Sequence, residues 1–138
     1  TRKHLFISDD QRRILALSPP APGARHDYTM FKDWHPPDQL PDDVIYWTDS
    51  GFQGIRTDYP KCPVIHPQKK PPGKERDAWD SWCNSLRAHI RIVVEHAIGG
   101  VKRYGAIAQV YRNWGADFED RLTVVASGLW NWHLQQVR

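Results

Sequence analysis

Two carboxylates stand where they could do chemistry. Asp49, in Trp47-Thr48-Asp49-Ser50-Gly51, follows the short apolar run Val44-Ile45-Tyr46-Trp47, which reads as a buried strand closed by a tight turn. In open α/β sheets functional groups gather at the C-terminal ends of strands, so Asp49 is placed to ligate a metal. The same residues are also ordinary turn chemistry. Glu95 interrupts Ile92-Val93-Val94 and Ala97-Ile98, a stretch where a carboxylate has little reason to be buried unless paired or metal-bound. Arg91, one helical turn earlier, could equally neutralise it. If the two converge, they supply the hard oxygen donors that Mg²⁺ or Mn²⁺ prefers. Two such ions, about 4 Å apart, can activate a water and stabilise a leaving 3′ oxygen.

Cations surround this candidate site. Asn84, Arg87, Arg91 and Lys102 recur near the Glu95 face of the same helical segment and could track a DNA backbone, or form a solvated basic face. Lys69 and Lys70, on the proline-rich stretch His66 to Gly73, could touch phosphates or simply be an exposed loop. The formal net charge is only +3, so the basicity is local. His26 beside Asp27 reads as a structural pair, and no HxxxH or Cys/His spacing supports zinc. Cys62 and Cys83 form no CxxC motif, which fits a reducing, intracellular setting. Of the seven tryptophans, Trp82, Trp130 and Trp132 lie on helical stripes and are expected in the core.

The elements that must position these groups follow from periodicity. Lys3–Ser8 and Arg13–Ser18 alternate apolar residues around an Asp9-Asp10-Gln11 turn, predicting a hairpin. Pro19 to Gly23 is expected to stay out of any sheet, and Asp27 to cap a short helix, Tyr28 to Trp34. A proline-rich loop, Pro36 to Pro41, precedes the Asp49 strand, and Pro63-Val64-Ile65 is a further strand. From about Asp77 to about Tyr104 there is no proline, and Trp82, Leu86, Ile90, Val93, Val94, Ala97, Ile98 and Val101 form the stripe of a long amphipathic helix that Gly99-Gly100 could bend. Ile107 to Tyr111 reads as a short strand. Asp117 is expected to cap a last helix, with a stripe through Phe118, Leu122, Val125, Leu129, Trp132 and Leu134. With 138 residues, the chain fits one mixed α/β domain, and no apolar run approaches a membrane span.

Lys3-His4, Pro22-Gly23-Ala24-Arg25-His26-Asp27, Thr48-Asp49-Ser50-Gly51-Phe52-Gln53-Gly54, Pro67-Gln68-Lys69-Lys70-Pro71, Asn84, and Arg91 to Lys102 with its R-x-x-x-E-x-x-x-G-x-x-K pattern together resemble the IS5 and Harbinger group of DDE transposases. The resemblance spans essentially the whole chain, with Phe52 where tyrosine is usual. It implies an RNase H-like mixed sheet flanked by helices, a two-metal Mg²⁺ or Mn²⁺ site, cleavage at transposon ends and 3′-hydroxyl transfer into target DNA. Asp49 matches the family's second carboxylate and Glu95 its third. The first belongs to a central strand before the hairpin, so the expectation for residues 1–138 is a partial catalytic domain, inactive alone, without that strand or the upstream DNA-binding region. Asp9 and Asp10 are turn residues and do not replace the missing ligand. The resemblance further implies a homo-oligomer when complete, working in the nucleoid or the nucleus. The alternatives are a catalytically inactive DNA-binding remnant and a domesticated nuclease-like binding module.

Overall fold

Asp9 turns the first hairpin by itself. Its Oδ1 accepts from the Gln11 and Arg13 amides, both at 2.9 Å, and its Oδ2 meets Arg13 Nε at 2.6 Å. Arg12 takes the left-handed conformation at φ 68° to close the turn. On either side lie β2 (Phe6–Ser8) and β3 (Ile14–Leu17), antiparallel, with an irregularity between Ile7 and Ser8. Just before them β1 (Arg2–Lys3) pairs antiparallel with β4 (Ala21–Pro22), which corrects the expectation that the proline segment lies outside any sheet. The pairing is two residues long, and a proline at a strand end loses no essential ladder bond. His4 and Ser18 tie the two pairs together: His4 Nδ1 lies 3.0 Å from the Ser18 carbonyl, and Leu5 N donates to Ser18 Oγ at 2.8 Å.

The computed structural model describes residues 2–66, 73, 77–104 and 117–137. They fall into two compact units, Thr1–Arg25 with Val93–Arg138, and His26–Ile92. The expected strand at Ile107 to Tyr111 and the loop lysines Lys69 and Lys70 lie outside the described residues.

In the first unit the hairpin packs on the C-terminal part of α3 (Ala78–Lys102) and on α4 (Phe118–Gln136). Ile14, Ala97, Val101, Ala126, Trp130 and Leu134 form the buried core, with Phe6, Leu17 and Tyr104 against it. Asn131 of α4 stands in for a neighbouring strand: Ile14 N donates to its Oδ1 and its Nδ2 donates to Ile14 O, both at 2.8 Å. Trp130 Nε1 donates to Arg12 O at 2.8 Å. Gly99-Gly100 does not interrupt α3; a Cβ at Gly100 would lie 2.4 Å from the Trp130 ring, so the glycine lets this helix and α4 approach.

Two expectations about α4 are corrected. Asp117 does not cap with its side chain but sits at φ 64°. The buried face is Thr123, Ala126, Ser127, Trp130 and Leu134, whereas Val125, Leu129 and Trp132 are exposed. Small side chains suit a close approach, and both hydroxyls are satisfied within the helix, Thr123 Oγ1 by Glu119 O and Ser127 Oγ by Thr123 O.

In the second unit α1 (Asp27–Trp34) is capped by His26, whose Nδ1 accepts from Tyr28 N at 3.2 Å; Asp27 is the first helical residue rather than the cap. Phe31 is the hub, edge-on to Tyr46, Phe52 and Tyr59. Pro36–Asp38 winds into a short 3-10 turn. Strand β5 (Tyr46–Trp47) runs parallel to β6 (Val64–Ile65), and between them α2 (Ile55–Asp58) buries Ile55 completely. The expected burial of the whole β5 run is corrected: Tyr46 is inside, while Ile45 and Trp47 face out in alternation. The expected core position of Trp82 is corrected too; it is 56% exposed and stacks on Trp79 at 5.2 Å. The architecture of the described residues is mixed α/β, with small two-stranded sheets and four α-helices. None of these helices is long and apolar enough to cross a membrane.

Candidate active site

Asp49 follows β5 after one residue, Thr48. Tyr46 N donates to Pro63 O at 2.8 Å and Thr48 N to Ile65 O at 3.1 Å, so the two parallel strands end side by side. The chain then turns through a 3-10 segment, Ser50–Phe52, for which Asp49 is the N-cap: its Oδ1 accepts from Ser50 N at 2.7 Å. The carboxylate is exposed. Its turn is anchored from behind, because Phe52 meets the Phe31 ring edge-on at 5.9 Å and the Tyr28 ring at 6.3 Å. A Cβ at Gly54 would fall 2.6 Å from the outer end of the Tyr28 ring, so a side chain there would have to push that ring aside. Tyr28 Oη in turn hydrogen-bonds Asp58 Oδ2, and burial, then that carboxylate, pushes its ionisation upward.

Sequence reasoning missed the partner of this strand end. His66 follows β6 as Thr48 follows β5, and Thr48 Oγ1 lies 2.7 Å from His66 Nδ1. Burial, and secondarily the Arg56 guanidinium, hold the imidazole below its usual ionisation range. Arg56 itself donates to Val64 O at 3.3 Å. The signal was present in the register: pairing Tyr46 with Val64 and Trp47 with Ile65 carries Thr48 onto His66.

Glu95 lies on α3 and is exposed, as are Ile92 and Arg91 around it, so the argument from an otherwise buried carboxylate is corrected. The helix buries Ala97, Gly100 and Val101 instead. Arg91 and Lys102 are exposed; Arg87 is half-buried and donates to Asn84 Oδ1 at 3.3 Å. Asp49, Arg87 and Arg91 belong to the second unit, Glu95 and Lys102 to the first. As metal ligands, Asp49 and Glu95 are right in kind, being accessible hard oxygen donors, and short in number. Among the described residues no three His, Cys, Asp or Glu side chains cluster as a metal site.

A separate pocket of about 550 Å³ opens at the starts of β5 and β6, lined by Tyr46, Tyr59, four prolines and the carboxylates of Asp38, Asp42 and Asp58. Its acidic rim, with Lys61 alone in opposition, does not suit phosphate. Burial pushes the Tyr46 hydroxyl up to about 12, and among the described residues it has no hydrogen-bond partner.

In comparison with known families, the model of the family described as DDE superfamily endonuclease matches residues 1–131. Comparisons with curated proteins and with solved structures gave no match.

Proposed function

This chain belongs to the DDE superfamily endonuclease family, and we propose on that premise that it is the greater part of the nuclease domain of a DNA transposase. The reading is an enzyme of the IS5 and Harbinger kind, with an RNase H-like sheet, that cuts DNA at transposon ends and joins the freed 3′ hydroxyl to a target. The observation that carries it is the family match along nearly the whole chain, supported by Asp49 at the C-terminal end of a strand in a parallel pair. Asp49 and Glu95 would hold Mg²⁺ or Mn²⁺. Bound there, two divalent ions supply the charge that stabilises an attacking water and a leaving 3′ oxygen. The family's first carboxylate would come from its first strand, which the resemblance puts before the β2–β3 hairpin. The chain's own part is to hold the ligands and, through Lys69, Lys70, Arg87, Arg91 and Lys102, to bind the DNA backbone at transposon ends and target, as a homo-oligomer in nucleoid or nucleus.

A second reading is a DNA-binding remnant without catalysis, which would hold the DNA backbone through exposed cations such as Arg91 and Lys102. Mn²⁺-dependent nicking of supercoiled plasmid separates the two. The chain is assayed beside a version extended upstream through the family's first strand, each also carrying Asp49→Ala or Glu95→Ala. The expected result is cutting by the extended protein alone, with a loss on the order of a hundredfold or more from either alanine. Cutting that survives both substitutions refutes the assignment, and an extended protein that binds DNA but never cuts supports the remnant.

A further inference from the structure

The ends of β5 and β6 carry more than Asp49. Thr48 and His66 leave their strands at matching positions and meet through Oγ1 and Nδ1 at 2.7 Å. A hydroxyl and an imidazole nitrogen can share one proton in either sense. If Thr48 donated to Nδ1, Nε2 would carry the ring hydrogen, and His66 Nε2 is buried with no hydrogen-bond partner among the described residues. An orphaned buried N–H is rarer than an orphaned acceptor, so the tautomer with hydrogen on Nδ1 is favoured. In that tautomer the imidazole donates to Thr48 Oγ1. The hydroxyl's own hydrogen is then released to point elsewhere, and its oxygen is more polarised for donation.

Thr48 is half-buried at the strand end immediately before Asp49, and exposed Arg56 lies close enough to His66 for its charge to add to burial in lowering the imidazole's ionisation. A hydroxyl donor, a cation and a strand end that the family chemistry directs at DNA together suit one acceptor, an anionic phosphate oxygen. We propose that Thr48 is a DNA-phosphate contact of the Asp49 site, its hydroxyl oriented for donation by the Nδ1–H of His66, which acts as a positioning residue. The inference rests on the reading of the chain as a DNA-cleaving domain and adds two residues to it.

Two measurements test it. The first needs no DNA: long-range ¹H–¹⁵N spectra of the histidine ring report which nitrogen bears the hydrogen. Hydrogen on Nδ1 of His66 is expected; hydrogen on Nε2 overturns the assignment and leaves the DNA reading untouched. The second is binding of a short fluorescent DNA duplex. Thr48→Ser and His66→Asn, whose amide nitrogen occupies the place of Nδ1, should bind like the unmodified chain. Thr48→Val, and His66→Asp, which can only accept and so recaptures the hydroxyl hydrogen, should each weaken binding about tenfold. Equal binding by Thr48→Val and the unmodified chain overturns the assignment alone. An unmodified chain that binds no duplex overturns the DNA reading, and this assignment with it.

Discussion

Gly100→Ala should destabilise the chain, although alanine is the better helix former. At this position a methyl group would lie 2.4 Å from Trp130 Cδ2 and 2.5 Å from Cε2 and Cε3, where ordinary contact begins at 3.4 Å. The ring must therefore retreat by about 1 Å or the helices must part. Neither is easy, because Trp130 is 5% exposed, donates from Nε1 to Arg12 O at 2.8 Å and stacks on His133 at 5.6 Å. Overpacking of this kind costs about 1–3 kcal/mol. Losing the indole hydrogen bond adds about 1 kcal/mol. Helix propensity returns about 1 kcal/mol. The balance is a loss of about 1–3 kcal/mol, or about 3–5 °C in Tm per kcal/mol for 138 residues. Gly99→Ala is the internal control: its Cβ meets nothing within 4 Å, so only the propensity gain of up to about 1 kcal/mol remains. Urea unfolding of both variants reads the difference. Shifts of the same sign and size in the two would refute the claim that Gly100 is selected by contact with Trp130.

Asn131→Ala removes both hydrogen bonds to Ile14 and leaves a strand N–H and C=O without partners, so a loss of about 2–3 kcal/mol is expected in chemical denaturation. Tyr46→Phe deletes a hydroxyl that is buried without a partner, and stability should hold or rise by up to about 1 kcal/mol. The same variant should flatten the alkaline limb. With its folded value raised from 10.0 to about 12, Tyr46 keeps its proton in the native state while the unfolded chain loses it. Its contribution is therefore complete below pH 10 and lost as pH rises from there through about 12, a decline that denaturation at stepped pH should find reduced in the phenylalanine variant.

Much of this was legible in the residues. Alternation at Leu5/Ile7 and Ile14/Leu17 marked the hairpin, and Val44 to Trp47 marked the strand that delivers Asp49. What misled was the assumption that hydrophobicity marks the buried face of a helix. On α4 the apolar stripe Val125, Leu129, Trp132 points outward, and the inward one, Thr123, Ala126, Ser127, Trp130, Leu134, carries two hydroxyls. Close approach at Gly100 demands small side chains, and a serine or threonine that bonds its own preceding turn is cheap to bury. On α3, Glu95 looked buried because its neighbours in sequence are apolar, yet Ile92 beside it is exposed as well. The Thr48–His66 pair escaped notice for another reason: the register of two strands separated in sequence is a tertiary fact, readable only once the strands are laid side by side.

The amide of Asn131 has a bearing on how copies of this chain behave in each other's company. An unclaimed N–H and C=O on a strand edge invites the strand of another molecule, and β3, Ile14-Leu15-Ala16-Leu17, is apolar enough to accept one. By occupying both groups of Ile14, a single side chain from the last helix closes that invitation. Any cut that removes α4 removes the closure with it, so a nicked or prematurely terminated chain would offer that edge as a seed for intermolecular sheet.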